Sequence, residues 1–354
     1  MNREEQARLD GRIAGISREE VRKLYKHASA MRKRLPNRPE GARRVSLDDL
    51  VLRILEEDAP RAKSAVTAEG TVVWAGPQSA RVRGSGAEHE AKLAGHRLAV
   101  GDQATIGLAE DGKTWQVEAI GERRSKLSRP DVANPHLERV IVANVDVVCI
   151  VVSVVAPPLH PRIIDRYMIA IQRGGAKPVL CVNKLDLLGD DEEELRKLEP
   201  YAALDVPIYG CSASTGQGIA ELREELAGKT AAFVGHSGVG KSSVMNAIFP
   251  RLELKTGQLM GGYGRGAHTT TTSSLHDFPD GTRLIDTPGV RSFGLGKLSR
   301  EELQWHFPEF EPFQCKFRDC AHDHEPECAV RAAAERGDVH PVRYDTYLRI
   351  LRDG

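Results

Sequence analysis

The sequence predicts a multidomain α/β protein: a small N-terminal β-barrel, an α/β domain on a mostly parallel sheet, and a C-terminal helical domain organised around a metal. Three observations predict it. Residues 64–121 break into short alternating segments divided by Gly and Asp, residues from 140 onward alternate β-branched runs with amphipathic helical patterns, and three cysteines crowd between positions 315 and 328. With 354 residues, 40% of them hydrophobic, the chain can bury two or three cores. Fifty basic residues balance fifty acidic ones, so attraction to a polyanion has to come from local patches. The N-terminus lacks the basic-then-apolar pattern of a secretory signal, and the most apolar stretch, 145–157, is short and contains Asp146; neither export nor a membrane partner is expected.

Residues 1–60 read as a basic helical extension, with helix formers throughout REEVRKLYKHASAMRKRL and Ser46 as a cap ahead of the apolar face of SLDDLVLRILEED. Between Arg22 and Arg44 lie nine Lys or Arg against the single acid Glu40. Residues 61–121 supply the strands TVVWAG, SARVRGSG, EAKLAGHRLAVGD, QATIGLAEDG and TWQVEAIGE. An OB-fold suits five short strands, and an SH3-like barrel reads almost the same. The polar, Pro-containing ERRSKLSRPDVANPHLER, residues 122–139, suits a linker. From 140 to 295 strands VDVVCIVVSVV, PVLCVNK, VPIYGCSA, TAAFVG and TRLIDTPG alternate with helices PRIIDRYMIAIQRGG, DDEEELRKLEPYA, GIAELREELAG and KSSVMNAIF. Such alternation demands a mostly parallel sheet covered on both faces, with ligands at the carboxyl ends of its strands.

Gly235-His236-Ser237-Gly238-Val239-Gly240-Lys241-Ser242, with Ser243 next, fits G-x-x-x-x-G-K-[ST] between strand TAAFVG and helix KSSVMNAIF. Its glycines let backbone N–H groups curl toward phosphate oxygens, Lys241 neutralises the β- and γ-phosphates, and the Ser242 hydroxyl ligates Mg²⁺. Asp286-Thr287-Pro288-Gly289 ends a strand some fifty residues on; there Asp286 can hold Mg²⁺ through water and the Gly289 N–H can meet a γ-phosphate. Gly264-Arg265-Gly266-Ala267-His268 leads into Thr269 to Thr272. One of these hydroxyls completes the Mg²⁺ shell; Thr270 stands for that choice. Asn183-Lys184-Leu185-Asp186 and Ser212-Ala213-Ser214 each follow a strand and look like guanine-specificity motifs. Asp186 can accept from both the N1–H and the exocyclic amine of guanine, Asn183 braces the loop, Lys184 packs along the base and the Ala213 N–H can donate to the guanine O6. These two motifs precede the phosphate loop, the reverse of the common guanine-nucleotide order, so the domain reads as circularly permuted. Val290 follows D-T-P-G, where relatives of the common fold place or closely precede a water-orienting Gln. Val cannot orient water, so slow intrinsic turnover is expected; His268 is the catalytic candidate beside Lys241, with an RNA contact as its other reading.

Residues 296–354 contain Cys315-Lys-Phe-Arg-Asp-Cys320-Ala-His322-Asp-His324-Glu-Pro-Glu-Cys328. Three thiolates and an imidazole suit one closed, structural Zn²⁺ site, assigned to Cys315, Cys320, His322 and Cys328 with His324 as the alternative nitrogen ligand. The permuted NKLD, SAS, GHSGVGKSS, HTTT and DTPGV, joined to CKFRDCAHDHEPEC, resemble the ribosome small subunit-dependent GTPase A family, RsgA or YjeQ. The resemblance covers residues 64–354 and implies an OB-fold that binds RNA, a permuted GTPase and a zinc domain. It further implies a monomeric, cytoplasmic GTP hydrolase that binds GTP or GDP, the small ribosomal subunit and its rRNA late in maturation, with turnover accelerated by that subunit. The competing readings are a nucleotide switch for another protein, and an RNA-binding module whose nucleotide site only stabilises the fold.

Overall fold

The computed structural model of the chain describes residues 18–33, 46–48, 50–51, 66–130, 138–189, 192–204, 206–252, 273–286, 295 and 298–353. Two compact units divide it, residues 1–64 and 65–354. In the first, helix α1 (Arg18–Lys33) leaves Arg22, Lys23 and Lys26 exposed and keeps Val21, Leu24 and Tyr25 partly covered and Ala28 buried, a helical period. The Tyr25 hydroxyl donates to Asp48 at 2.6 Å.

The second unit opens with β1 (Thr67–Ala75), β2 (Ser79–Arg83), β3 (Glu88–Lys92), β4 (Gln103–Leu108) and β5 (Trp115–Ile120). Antiparallel pairs join β1 to β2 and β4, β2 to β3, and β4 to β5, while β3 and β5 pair in parallel. The parallel contact closes an OB-like barrel rather than a sequential meander. Small residues fill its core, with Ala80, Ala91 and Ala104 beside Val72, Val82 and Ile106, as a tight five-stranded barrel requires.

The segment expected to be a linker differs from that reading. Strand β6 (Lys126–Pro130) pairs antiparallel with β7 (Glu138–Ala143), and the Lys126 N–H donates to the Gly174 carbonyl at 2.8 Å. Among the described side chains of β6, Leu127 alone enters the apolar core, so the strand has almost no alternation to read.

Beyond it run β8 (Val147–Ser153), α2 (Pro161–Arg173), β9 (Lys177–Asn183), α3 (Glu192–Arg196), α4 (Glu199–Ala202), β10 (Ile208–Gly210), α5 (Ile219–Leu226), β11 (Thr230–Val234), α6 (Lys241–Ile248), β12 (Ser274–Asp277) and β13 (Arg283–Asp286). The single helix expected over 190–202 is two short ones, because Pro200 sits in the first turn of α4 and cannot donate within a continuous helix. The strand order is β10-β9-β8-β11-β13-β12, parallel except for β12. Residues of β8 alternate between two cores: Val148, Ile150 and Val152 join one face, while Val147, Cys149 and Val151 join the other. That is why the strand reads as unbroken apolar sequence. On the first face α2 packs Ile164, Tyr167, Met168 and Ile171, each contributing about 1.5–3 kcal/mol by burial. On the second lie α5 and α6 through Leu222, Leu226, Val244 and Ile248. β12 also bridges to β1 at Ser274 and Trp74, making barrel and α/β sheet one continuous sheet.

The chain ends in α7 (Arg300–Trp305), α8 (Ala329–Arg336) and α9 (Pro341–Asp353). Ser299 caps α7 by accepting from the Glu302 N–H at 3.1 Å. Phe307, Phe310, Tyr347, Val330 and Cys328 form a third core, which α2 completes through Ile169.

Candidate functional site

Four strands deliver the sequence motifs to one edge of the sheet. The register pairs Ser153 with Asn183, Val182 with Gly210, Ile150 with Val234, and Ala232 with Ile285. Gly235, Asn183, Ser212 and Asp286 therefore emerge at the carboxyl ends of neighbouring strands, where ligands of open α/β sheets bind.

The phosphate loop needs its glycines for space and for backbone conformation. Gly240 has φ +91°, and a Cβ there would lie 2.3 Å from Asn183 Nδ2; one on Gly235, at φ +145°, would lie 2.2 Å from the Val151 carbonyl. Only glycine satisfies both limits. Lys241 Nζ donates to the carbonyls of Gly235 at 2.8 Å and His236 at 2.7 Å, which holds the ammonium over the curl of the loop. Lys241 also opens α6, so positive helix-end N–H groups and the lysine charge converge on one anion site. His236, Ser237 and Gly238 are exposed, Val239 is buried, and Ser242 and Ser243 are half-buried.

Asn183 ties this loop to the base-specificity loop. Its buried amide donates from Nδ2 to the Val239 carbonyl at 2.9 Å and accepts at Oδ1 from the Ala213 N–H at 3.1 Å. Here Ala213 gives its N–H to Asn183, where the sequence suggested guanine O6. Lys184, at φ +69°, donates to the carbonyls of Gly238 at 2.7 Å and Ala156 at 2.6 Å; its arm runs along the phosphate loop. Leu185 opens a short 3-10 turn that leaves Asp186 exposed. The Ser214 hydroxyl donates to Asp186 Oδ2 at 2.9 Å, and hydrogen bonds from Ser212 and Ser214 hold this carboxyl below its ordinary value. Sequence reasoning missed Ser214 and Ala156 as partners, since each acts only through a fold-dependent contact.

Asp286 ends β13 beside β11. Burial pushes its carboxyl above the ordinary range, and nearby His276 offsets this in part, a balance that a bound cation reverses. Gly289, Val290, His268 and Thr269 to Thr272, with Thr270 among them, lie outside the described residues.

The C-terminal motif gathers as assigned. The ligand atoms of Cys315, Cys320, His322 and Cys328 all lie within 4.8 Å of one another. Cys315 Sγ is 3.8 Å from Cys328 Sγ, and His322 Nδ1 lies 3.4 Å and 3.6 Å from these two sulfurs. Zn–S bonds of about 2.3 Å at the tetrahedral angle place sulfurs roughly 3.8 Å apart, so the donor set fits Zn²⁺. His324 is 85% exposed at its side chain and points beside Asp323, away from the cluster. Burial and neighbouring thiols push Cys320 up to about 12; against its burial, the Val330 and Ala329 N–H groups at the start of α8 hold Cys315 below the ordinary thiol value. The ligand backbone is itself held: Tyr344 donates to the His322 carbonyl at 2.6 Å, Tyr347 to that of Ala321 at 2.8 Å, and Gln304 to that of Cys320 at 2.9 Å.

One buried group joins this domain to the nucleotide domain, and no sequence motif signals it. Arg343, 1% exposed, donates from Nη1 to Asp165 of α2 at 2.6 Å and from Nε to Glu309 at 2.6 Å, and stacks 4.2 Å over Phe307.

A family model described as RsgA GTPase matches residues 120–296. The Small ribosomal subunit biogenesis GTPase RsgA of Gemmatimonas aurantiaca is 41% identical over 278 residues, spanning 78% of this chain and 89% of that protein. Among solved structures, YjeQ from Thermotoga maritima matches with TM-score 0.64 at 33% identity, over 81% of this chain and 98% of its own. YloQ, described as a circularly permuted GTPase, matches with TM-score 0.60 at 27% identity, over 83% of this chain and 97% of its own.

Proposed function

This chain belongs to the RsgA GTPase family, and from that premise we propose that it is a GTP hydrolase that binds the small ribosomal subunit and its rRNA late in maturation, with turnover stimulated by the subunit. The observation that carries the nucleotide part is the Asn183 amide, bonded at once to Val239 of the phosphate loop and Ala213 of the base loop. One side chain thereby fixes the spacing between a phosphate cradle and a guanine reader.

In this reading Asp186 accepts from guanine, the N–H groups of residues 235–243 cradle the phosphates, and Lys241 leaves its two carbonyls for the β- and γ-phosphates. Ser242, Thr270 and Asp286, the last through water, would hold Mg²⁺. When bound, that ion neutralises charge developing between the β- and γ-phosphates. The Gly289 N–H would serve the γ-phosphate, and His268 is the candidate for orienting water. Zn²⁺ on Cys315, Cys320, His322 and Cys328 has a structural part, holding a segment too short to build its own core. Binding of rRNA falls to the barrel, where Arg81 lies 5.5 Å over the Trp74 ring, a stacking and charge pairing suited to a single strand. The protein works as a cytoplasmic monomer with barrel, GTPase and zinc domains at about 61–121, 140–295 and 296–354, preceded by the basic extension 1–60.

The test is hydrolysis by the purified protein, with Lys241→Ala as control, together with co-sedimentation on small and large subunits. Turnover lost with Lys241→Ala and binding to small subunits are expected. Equal turnover in both proteins, or no preference for the small subunit, contradicts the reading.

A further inference from the structure

A cavity of about 190 Å³ opens where the barrel, the chain leaving it and the amino ends of β11 and β13 meet. Its wall includes Thr71 and Gln103 of the barrel, Arg124 of the connecting chain, and Thr230 and Arg283, which are register partners on β11 and β13. From Thr230 the chain runs five residues to Gly235, so at roughly 3.3 Å per residue the cavity lies about 16 Å from the phosphate loop. It is not part of the nucleotide site. It is also smaller than the roughly 300–1,000 Å³ of pockets for drug-sized ligands, which limits an occupant to a small group.

Several polar groups of the wall are already bonded to one another. The buried Asn144 accepts from the Arg124 N–H at 2.9 Å and donates to the Gly101 carbonyl at 2.9 Å, which fixes the connecting chain against the barrel. Gln103 donates to the Thr71 hydroxyl at 2.9 Å. What is left over is rich in donors. The Thr230 hydroxyl, on a residue 2% exposed, has no hydrogen-bond partner, a state that costs free energy unless something fills it. The Arg283 guanidinium makes no hydrogen bond or ion pair among the described residues and feels Asp146 through its charge alone. Arg124 reaches Asp146 at 3.1 Å through Nη1 and is 66% exposed, so other N–H groups of its fork remain. Against these the wall holds one acid, the exposed Glu122; the Asp146 oxygens are taken by Arg124 and by the Thr230 N–H at 2.8 Å.

We propose that this cavity is a phosphate-binding site separate from the nucleotide pocket: Arg283 and Arg124 hold the charge, and the Thr230 hydroxyl donates to a further oxygen. Two guanidinium forks and a hydroxyl suit a tetrahedral oxyanion, because their spare groups donate and the oxyanion accepts. The occupant is one phosphate group, free or within an RNA backbone. Bound there, it adds a link between Arg283 of the α/β domain and the chain that leaves the barrel at Arg124.

The experiment follows inorganic phosphate binding to the full chain by phosphorus NMR line broadening, with chloride at matched ionic strength as the salt control. Phosphate binding should survive Lys241→Ala, which disables the phosphate loop. Adding Arg283→Gln to that chain should weaken it about tenfold, as loss of one charged hydrogen bond predicts. Adding Thr230→Val instead removes a hydroxyl with no internal partner, so the melting temperature without phosphate should hold or rise while phosphate affinity falls; this variant guards against a folding defect in Arg283→Gln. Competition with a short single-stranded RNA separates the two sources: displacement of phosphate marks an RNA backbone as the occupant, and no displacement marks free phosphate. Binding abolished by Lys241→Ala alone, or unchanged by both Arg283→Gln and Thr230→Val, overturns the proposal.

Discussion

Asp186 carries guanine selectivity in this account because a carboxylate accepts twice where an amide accepts once. Asp186→Asn should weaken GTP binding and shift preference toward the xanthine nucleotide, read by competition binding; unchanged GTP affinity would show that the loop is not the base pocket. The pH dependence follows from the serine contacts. Hydrogen bonds from Ser212 and Ser214 lower the Asp186 pKa, so the charged form and its guanine contact persist as pH falls through the ordinary carboxylate range and are lost only below it. Ser214→Ala should move that loss to higher pH. The placement of Asp186 and of the glycine-rich loop at the carboxyl ends of strands was legible in sequence because their spacing is local and fixed. The Ala213 N–H was not: its partner, Asn183, lies thirty residues away, and only the paired strands reveal that the amide claims it.

Among the elements, α2 shows how far periodicity reaches. Its apolar stripe at Ile164, Tyr167, Met168 and Ile171 is plain in sequence, but Asp165 and Ile169 mark a second buried face that polar and apolar residues share, and period alone does not reveal it. Arg343 meets Asp165 there with both side chains at most 2% exposed. Arg343→Leu leaves a buried carboxylate unpaired and should destabilise the protein by about 3–5 kcal/mol in denaturant titration, with Asp165→Asn in the same chain recovering part of that loss. A change under 1 kcal/mol would show that the contact is incidental. The cluster of Cys315, Cys320, His322 and Cys328 was readable for the opposite reason, since its four residues fall within fourteen positions. Cys320→Ser should lose Zn²⁺ by elemental analysis and open residues 300–353 to proteolysis, while His324→Ala keeps both; full metal content in Cys320→Ser rejects the ligand set. Strand β6 escaped because, among its described side chains, one buried apolar residue, Leu127, gives no pattern.

Across the whole molecule, the order of motifs announced the permutation, and the strand order β10-β9-β8-β11-β13 shows its consequence: base loop, phosphate loop and Asp286 meet on one edge although they come from separate stretches of chain. What composition could not convey is the continuity of barrel and α/β sheet through Trp74 and Ser274, because a single bridge between distant strands has no local signature. The C-terminal domain is likewise bound to α2, with Arg173 pairing Glu302 at 2.7 Å and Arg162 pairing Asp345 at 2.6 Å. Both flanking modules thus contact the nucleotide domain, and nucleotide state should bias what they present to RNA. Small-subunit affinity at fixed salt should then differ between GDP and a non-hydrolysable GTP analogue, by the same factor with which the subunit discriminates the two nucleotides; equal affinities would remove the coupling. The most direct test of the central claim is the rate of GTP hydrolysis by the intact protein with purified small subunits, with large subunits and with neither. Slow turnover alone, accelerated by small subunits and not by large ones, is the expected result, and a rate unchanged by small subunits would contradict it.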